Sequence, residues 1–141
     1  MKLAEDPIFF QLFKKVDLLD LIQNHMHNPL VYCHEDDLCE TVFAKMQKYG
    51  ISQIPVMNQS GAFVGSIEDN HFYAELLKNS SLMNHQVNKI MQAPYPIVAF
   101  SESIEKLSSM INKQNSALLV MDMGGNWHII TKQDVIRAIA E

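Results

Sequence analysis

Apolar residues recur every three or four positions near the N-terminus, at Ile8, Phe9, Leu12, Phe13, Val16, Leu19 and Ile22. That period predicts an amphipathic helix over residues 6–23, with Pro7 in its first turn and Lys14, Lys15, Asp17 and Asp20 on the other face. Its apolar stripe must be buried, either on the same domain or against something attached to it. Pro29 then interrupts any helix and an extended segment follows. A second helix is expected over about 37–49, with Leu38, Val42, Met46 and Tyr49 as its stripe and Cys39 and Phe43 alongside. Gly50 would end it in the left-handed conformation. Residues 51–57 read as a strand, 58–61 as a turn and 63–67 as a second strand. A helix through Phe72, Leu76 and Leu77 completes the series.

After the polar Asn79-Ser80-Ser81 the pattern returns. Ile90-Met91-Gln92-Ala93-Pro94 answers the segment around Met26 and Pro29, and Ile97-Val98-Ala99-Phe100 answers the extended run from Leu30 to Cys33. Ile104, Leu107 and Ile111 correspond to Leu38, Thr41 and Met46, and Asn115 falls where Gly50 fell, so a left-handed Asn is expected there. Leu118-Leu119-Val120-Met121 is a strand, 122–126 a turn with two glycines, and 127–136 a strand running into a helix. Matched positions are separated by 63 residues (Glu68 to Thr131) to 66 residues (Leu38 to Ile104), so one unit has been copied with small insertions. Each unit alone leaves a sheet face uncovered, and two related by a pseudo-two-fold cover each other. The fold class is therefore α+β, two pseudo-symmetric β-α-β-β-α repeats packed through their small sheets.

Composition narrows the function. The 141 residues are 48% hydrophobic and 19% charged, as in an ordinary globular domain. No apolar run approaches the ~20 residues that span a bilayer, and the N-terminus lacks the order of a signal peptide, which predicts a cytoplasmic protein without membrane contact. A formal charge of −5 with one arginine, Arg137, leaves no basic face for nucleic acid. The cysteines Cys33 and Cys39 are too few for a disulfide framework and are expected reduced and at least partly buried. The nine methionines fall mostly at core spacing, where Met fills space.

Thr131 and Asp134 stand at the last strand–helix junction. Backbone N–H groups at a helix start suit an anion, and a carboxylate can accept from two sugar hydroxyls. Thr-x-x-Asp is equally a capping box that only satisfies the helix start. Among six histidines, His25, His27 and His34 lie close in sequence, but Pro29 intervenes and no metal-ligand spacing appears, so no metal site is expected. His128 reads as a structural surface residue at the start of the last strand. Glu35, Asp36 and Asp37 read as helix-start acids rather than an acid–base pair. No nucleophile elbow or phosphate-cradling loop is present, and no catalytic residue is assigned.

The stretches Gly50-Ile51-Ser52-Gln53-Ile54-Pro55-Val56, Val64-Gly65-Ser66-Ile67, Val87 through Val98, and His128-Ile129-Ile130-Thr131-Lys132-Gln133-Asp134 resemble the tandem CBS-domain pair, the Bateman module. The resemblance covers roughly residues 21–140 and is most similar to the C-terminal regulatory module of bacterial cystathionine β-synthases, without that enzyme's catalytic domain. It implies an N-terminal helix or linker at 1–20, a first repeat at 21–79 and a second at 80–141. It further implies a regulatory, non-enzymatic module that binds an adenosine-containing ligand between its repeats, forms a homodimer, and controls an attached or separate cystathionine β-synthase-like enzyme. In the family pattern Asp134 holds the ribose hydroxyls and Thr131 faces the phosphate side. Ile97 and Val98 wall the adenine, and Ser52, Gln53 and Ile54 approach from the other repeat.

Two departures refine this. The first repeat carries Glu68 and His71 where the second has Thr131 and Asp134. A carboxylate there repels phosphate, so one site per chain is expected, with Glu68 and His71 as solvated helix-start residues. Near the cleft only Lys132 and Lys113 offer positive charge, and position 53 is Gln. That favours S-adenosylmethionine or AMP, then ADP, over ATP with magnesium. The alternative is a ligand-free CBS pair acting only in oligomerisation or interaction.

Overall fold

A computed structural model describes residues 29–112 and 114–140. The expected helix over 6–23, the histidines His25 and His27, and Lys113 lie outside the described residues. Two compact units emerge, Val31–Tyr95 and a second whose described part is residues 29–30 and the chain from Pro96 onward.

In the first unit β1 (Cys33–His34) pairs parallel with β2 (Gln53–Met57), which pairs antiparallel with β3 (Phe63–Glu68), in the order β1-β2-β3. Helix α1 (Cys39–Tyr49) connects β1 to β2, and α2 (Asp69–Lys78) follows β3. Its core joins Cys33, Cys39, Val42, Met46, Ile54, Val56, Ile67 and Phe72. The buried stripe of α1 is therefore Cys39, Val42 and Met46, while Leu38 and Tyr49 are exposed at 39% and 51%, a shift from the expected stripe. Gly50 does end α1 at φ 62°, with its N–H donating to Gln47 O and that of Ile51 to Met46 O, a Schellman motif.

The start of α1 differs from expectation. The acids precede the helix instead of capping it: Asp37 Oδ2 accepts from His34 N at 2.9 Å and closes a turn. The helix start is held from a distance, by Cys39 N donating to His85 O (2.8 Å) and Val87 N to Asp37 O (2.8 Å). Those partners stand at two 3-10 turns that follow α2: His85 just past Ser80–Asn84, and Val87 at the start of Val87–Lys89. Asn79 caps the first of them by accepting from Ser81 N, so the polar stretch is structured.

The chain then runs along the edge of β3. Ser66 N donates to Gln92 O (3.0 Å), Gln92 N to Ser66 O (2.8 Å), and Ser66 Oγ to Ala93 O (2.7 Å). Gly65 permits this approach: a Cβ there would stand 2.5 Å from Met91 Sδ and 3.0 Å from Gln92 O.

The second unit repeats the plan. β4 (Ile97–Val98) pairs parallel with β5 (Ala117–Met121), and β5 antiparallel with β6 (Trp127–Thr131). Helix α3 (Ile104–Met110) lies between β4 and β5 in sequence, and α4 (Lys132–Ala140) follows β6. Val98, Ile104, Leu107, Leu118, Val120, Ile130 and Val135 form its core, each fully buried aliphatic chain contributing roughly 1.5–3 kcal/mol. Ser103 caps α3 by accepting from Lys106 N. No non-glycine described residue has positive φ, so Asn115 is not left-handed. Helix α3 instead ends on an extended Ile111, and the return is closed by Asn112, whose Oδ1 accepts from Gln114 N (2.8 Å) and Asn115 N (3.0 Å). A side chain does here what a left-handed residue does after α1.

Candidate functional site

The junction of β6 and α4 is built by the residues expected there. Asp134 Oδ2 accepts from both Thr131 N and Thr131 Oγ1 at 2.9 Å, and Asp134 N donates back to Thr131 Oγ1 at 3.3 Å. This is a reciprocal cap, so the capping reading of Thr-x-x-Asp is realised. It also fixes the Asp134 carboxylate in one orientation. Its other oxygen, Oδ1, lies 3.9 Å from Arg137 Nη1, one helical turn on. Arg137 is largely exposed, so the pair is worth only about 0–1 kcal/mol, but it puts the chain's single guanidinium beside the junction. The i, i+3 spacing of Asp134 and Arg137 carried that signal in the sequence.

Strand register brings Ile97 to the same end of the sheet. Ile97 pairs with Leu119 and Thr131 with Ala117, so Ile97 and Thr131 share a face, their Cα atoms roughly 12 Å apart by strand spacing and rise. Ile97 is 58% exposed, an apolar side chain open to a flat partner. Val98 points to the opposite face and into the core, at 8% exposure. Its side chain is thus unavailable as an adenine wall, because successive strand residues alternate faces.

The first unit separates its three candidates in the same way. Ser52 is exposed and its carbonyl accepts from Asp69 N at the start of α2 (2.9 Å). Ile54 is fully buried in the core. Gln53 sits on the other face, opposite Glu68, and its Nε2 is buried with no hydrogen-bond partner. Glu68 is not merely solvated: its Oε1 accepts from Tyr95 Oη at 2.9 Å, and Tyr95 is 6% exposed. No local signal marks that contact, since the partners are 27 residues apart.

Other groups are structural. His128 is buried at 8% exposure, not on the surface, and its Nε2 lies 2.7 Å from Asp122 Oδ2. That contact, with the N–H groups of Asn126 and Gly124, holds the Asp122 acid down at about 2. Cys33 and Cys39 are free and buried. Burial, then the charge of Asp37, pushes the Cys33 thiol up to about 12, and burial raises Cys39, so neither is a ready nucleophile. Among the described residues no cluster of three His, Cys, Asp or Glu is arranged for a metal, and no helix is long and apolar enough to cross a membrane.

Comparison with known proteins agrees with this architecture. The CBS-domain family model matches residues 18–78 and 87–141. Cystathionine beta-synthase of Mus musculus is 26% identical over 82 residues, 58% of this chain and 15% of that protein, so the chain spans about 15% of the length of that relative. A CBS-domain-containing protein from Agrobacterium tumefaciens superposes with a TM-score of 0.74 at 15% identity, covering 86% of this chain and 91% of that one. CBSX2 in complex with AMP gives 0.63 at 21% identity over 79% and 87% of the two chains. The CBS domain of a bacterial CNNM/CorC-family Mg2+ transporter in complex with ATP gives 0.67 at 20% identity over 95% and 98%. At these identities the structural likeness is one of fold. With both repeats matched by the family model, the chain belongs to the CBS-domain family, as a tandem pair.

Proposed function

We propose that this chain is a regulatory sensing module that binds one adenosine-containing ligand and transmits its occupancy to an attached or partner protein. The observation that carries the reading is the fixed Asp134 carboxylate, held by Thr131 at the same sheet end as the exposed Ile97. A carboxylate locked in one orientation suits a pair of ribose hydroxyls, and an exposed aliphatic side chain suits the face of a base. The backbone of Val98 completes the proposed site on this unit. Two fold neighbours were solved with AMP and with ATP, which supports a nucleotide-type ligand. The cations at the junction are Lys132 and Arg137, too few for a triphosphate, so S-adenosylmethionine and AMP are favoured, then ADP. The proposed setting is cytoplasmic and homodimeric, without catalysis by the module itself. Exposed Tyr73 and Leu77, one turn apart on α2, are apolar surface that a second copy would cover.

A second reading draws on the same cap. Thr131 and Asp134 satisfy each other, as in a purely structural helix start, and a ligand-free interaction module would need no more. Isothermal titration with S-adenosylmethionine, AMP, ADP and ATP separates the two. One equivalent per chain, lost in Asp134→Ala, is expected. No heat with any of them and an unchanged Tm would leave the interaction module standing.

A further inference from the structure

We infer that the open edge of β6 is a docking edge for an extended segment of this same chain, Met26-His27-Asn28, which lies outside the described residues and runs into Pro29. The inference is independent of the ligand reading above.

β6 is the last strand in the order β4-β5-β6, so one side of it has no neighbour in the sheet. Register fixes which backbone groups that side presents. Ile129 stands opposite Leu119, and Leu119 N donates to Pro96 O (2.9 Å) on the β4 side. In an antiparallel pair, register partners turn their N–H and C=O groups either toward each other or apart. Leu119 faces β4, so Ile129 presents both of its groups to the open side. Among the described residues no backbone group pairs with them. Bare ladder groups on an edge are a template for an extended segment.

The first unit shows what such an edge takes. Its matching residue, Ser66, exchanges both bonds with Gln92, in the sequence Met91-Gln92-Ala93-Pro94. The same Met-x-x-Pro pattern stands 65 residues earlier (Met91 to Met26) as Met26-His27-Asn28-Pro29, which sets His27 in the place of Gln92. Residues 29–30 belong to the second unit, although the chain from Val31 belongs to the first. The matching Pro94 and Tyr95 belong to the first unit, although the chain from Pro96 belongs to the second. The segment that ends at Asn28 therefore arrives at the unit whose edge is open. One difference is built in. His128 fills the place that Gly65 leaves to Met91, so the pairing at Ile129 rests on backbone bonds without a nested methionine. The chain that precedes residue 29 is thereby tied to the strand that leads into Thr131 and Asp134.

The test is amide hydrogen exchange on the whole chain, read residue by residue by NMR. Ile129 should exchange at least about tenfold more slowly than an exposed amide, at a rate independent of protein concentration. His27→Pro removes the N–H that would donate to Ile129 O, and should speed exchange at Ile129 by at least about tenfold with Ser66 unchanged. His27→Ala keeps the backbone donor and should change neither. Free exchange at Ile129 in the parent chain, or protection that His27→Pro leaves intact, would overturn the inference. Protection that fades on dilution would also overturn it, because the occupant would then be a second copy.

Discussion

The two repeats end their hairpins at equivalent strand–helix junctions and use them differently. In the second, Thr131 and Asp134 close on each other and the helix start is satisfied by its own residues. In the first, Glu68 stands at the N-cap of α2 without a side-chain cap, Asp69 N goes to Ser52 O, and the carboxylate reaches Tyr95. The same contrast recurs along the strand. Gly65 leaves room that Met91 of the arm approaches, whereas the matching position in the second repeat carries His128, tied to Asp122 within its own hairpin. The first hairpin is thus built to receive a passing segment. Glu68, which departs from the family pattern, and Gly65, which keeps to it, are the residues that meet it.

The largest expected effect on stability falls at the receiving strand. Gly65→Ala would press a methyl group onto Met91 Sδ and the Gln92 carbonyl, and should destabilise by about 1–3 kcal/mol in urea unfolding. A cost below about 0.5 kcal/mol would mean that the arm gives way freely.

Exchanging the junctions sharpens the contrast. Glu68→Thr with His71→Asp writes the second repeat's cap into the first. A new cap contributes about 1 kcal/mol, but the buried Tyr95 hydroxyl loses the Glu68 acceptor, at a cost of about 1–3 kcal/mol. The double variant should melt below the parent, and adding Tyr95→Phe should recover part of the loss. A double variant more stable than the parent would show that capping, not the arm, governs this junction.

The smallest effect separates the two hairpin turns. Asn58 Oδ1 accepts from Ser60 N and Ala62 N, and Asp122 Oδ1 accepts from Gly124 N and Asn126 N, the same geometry with a neutral and an acidic side chain. Asp122 is held down at about 2, below its ordinary 3.8, so the unfolded chain binds the extra proton between those values. The Asp122 contribution is therefore complete above about pH 4 and is lost as the pH falls toward 2. Urea midpoints across that window should fall less steeply in Asp122→Asn than in the parent, and identical slopes would show that the His128 contact does not stabilise the acid.

Local pattern carried the elements, and contacts distant in sequence carried the surprises. The left-handed Gly50 and the turns at 58–61 and 122–126 are short-range chemistry and were legible. The same logic misplaced the helix end near Asn115, because an Asn can turn the chain with its side chain as well as with its backbone, and Asn112 does so. The Thr131–Asp134 cap was legible from its spacing, whereas Ile97 was named only through the family resemblance. Pairing each with its neighbour was not enough for Val98 and Ile54, whose alternation sends them into the two cores. Neither the acceptance of Tyr95 by Glu68 nor the isolation of Gln53 Nε2 leaves a trace in a window of ten residues.

The arm from Gln92 to Tyr95 has a consequence for heredity. The family's unit of duplication, matched at 18–78 and again at 87–141, is out of phase with the compact body Val31–Tyr95, which takes in residues of the second copy. The edge of β3, which would otherwise offer bare N–H and C=O groups to other chains, is shielded at Ser66 by backbone encoded after the repeat boundary. A gene carrying one copy would encode a protein with a raw edge.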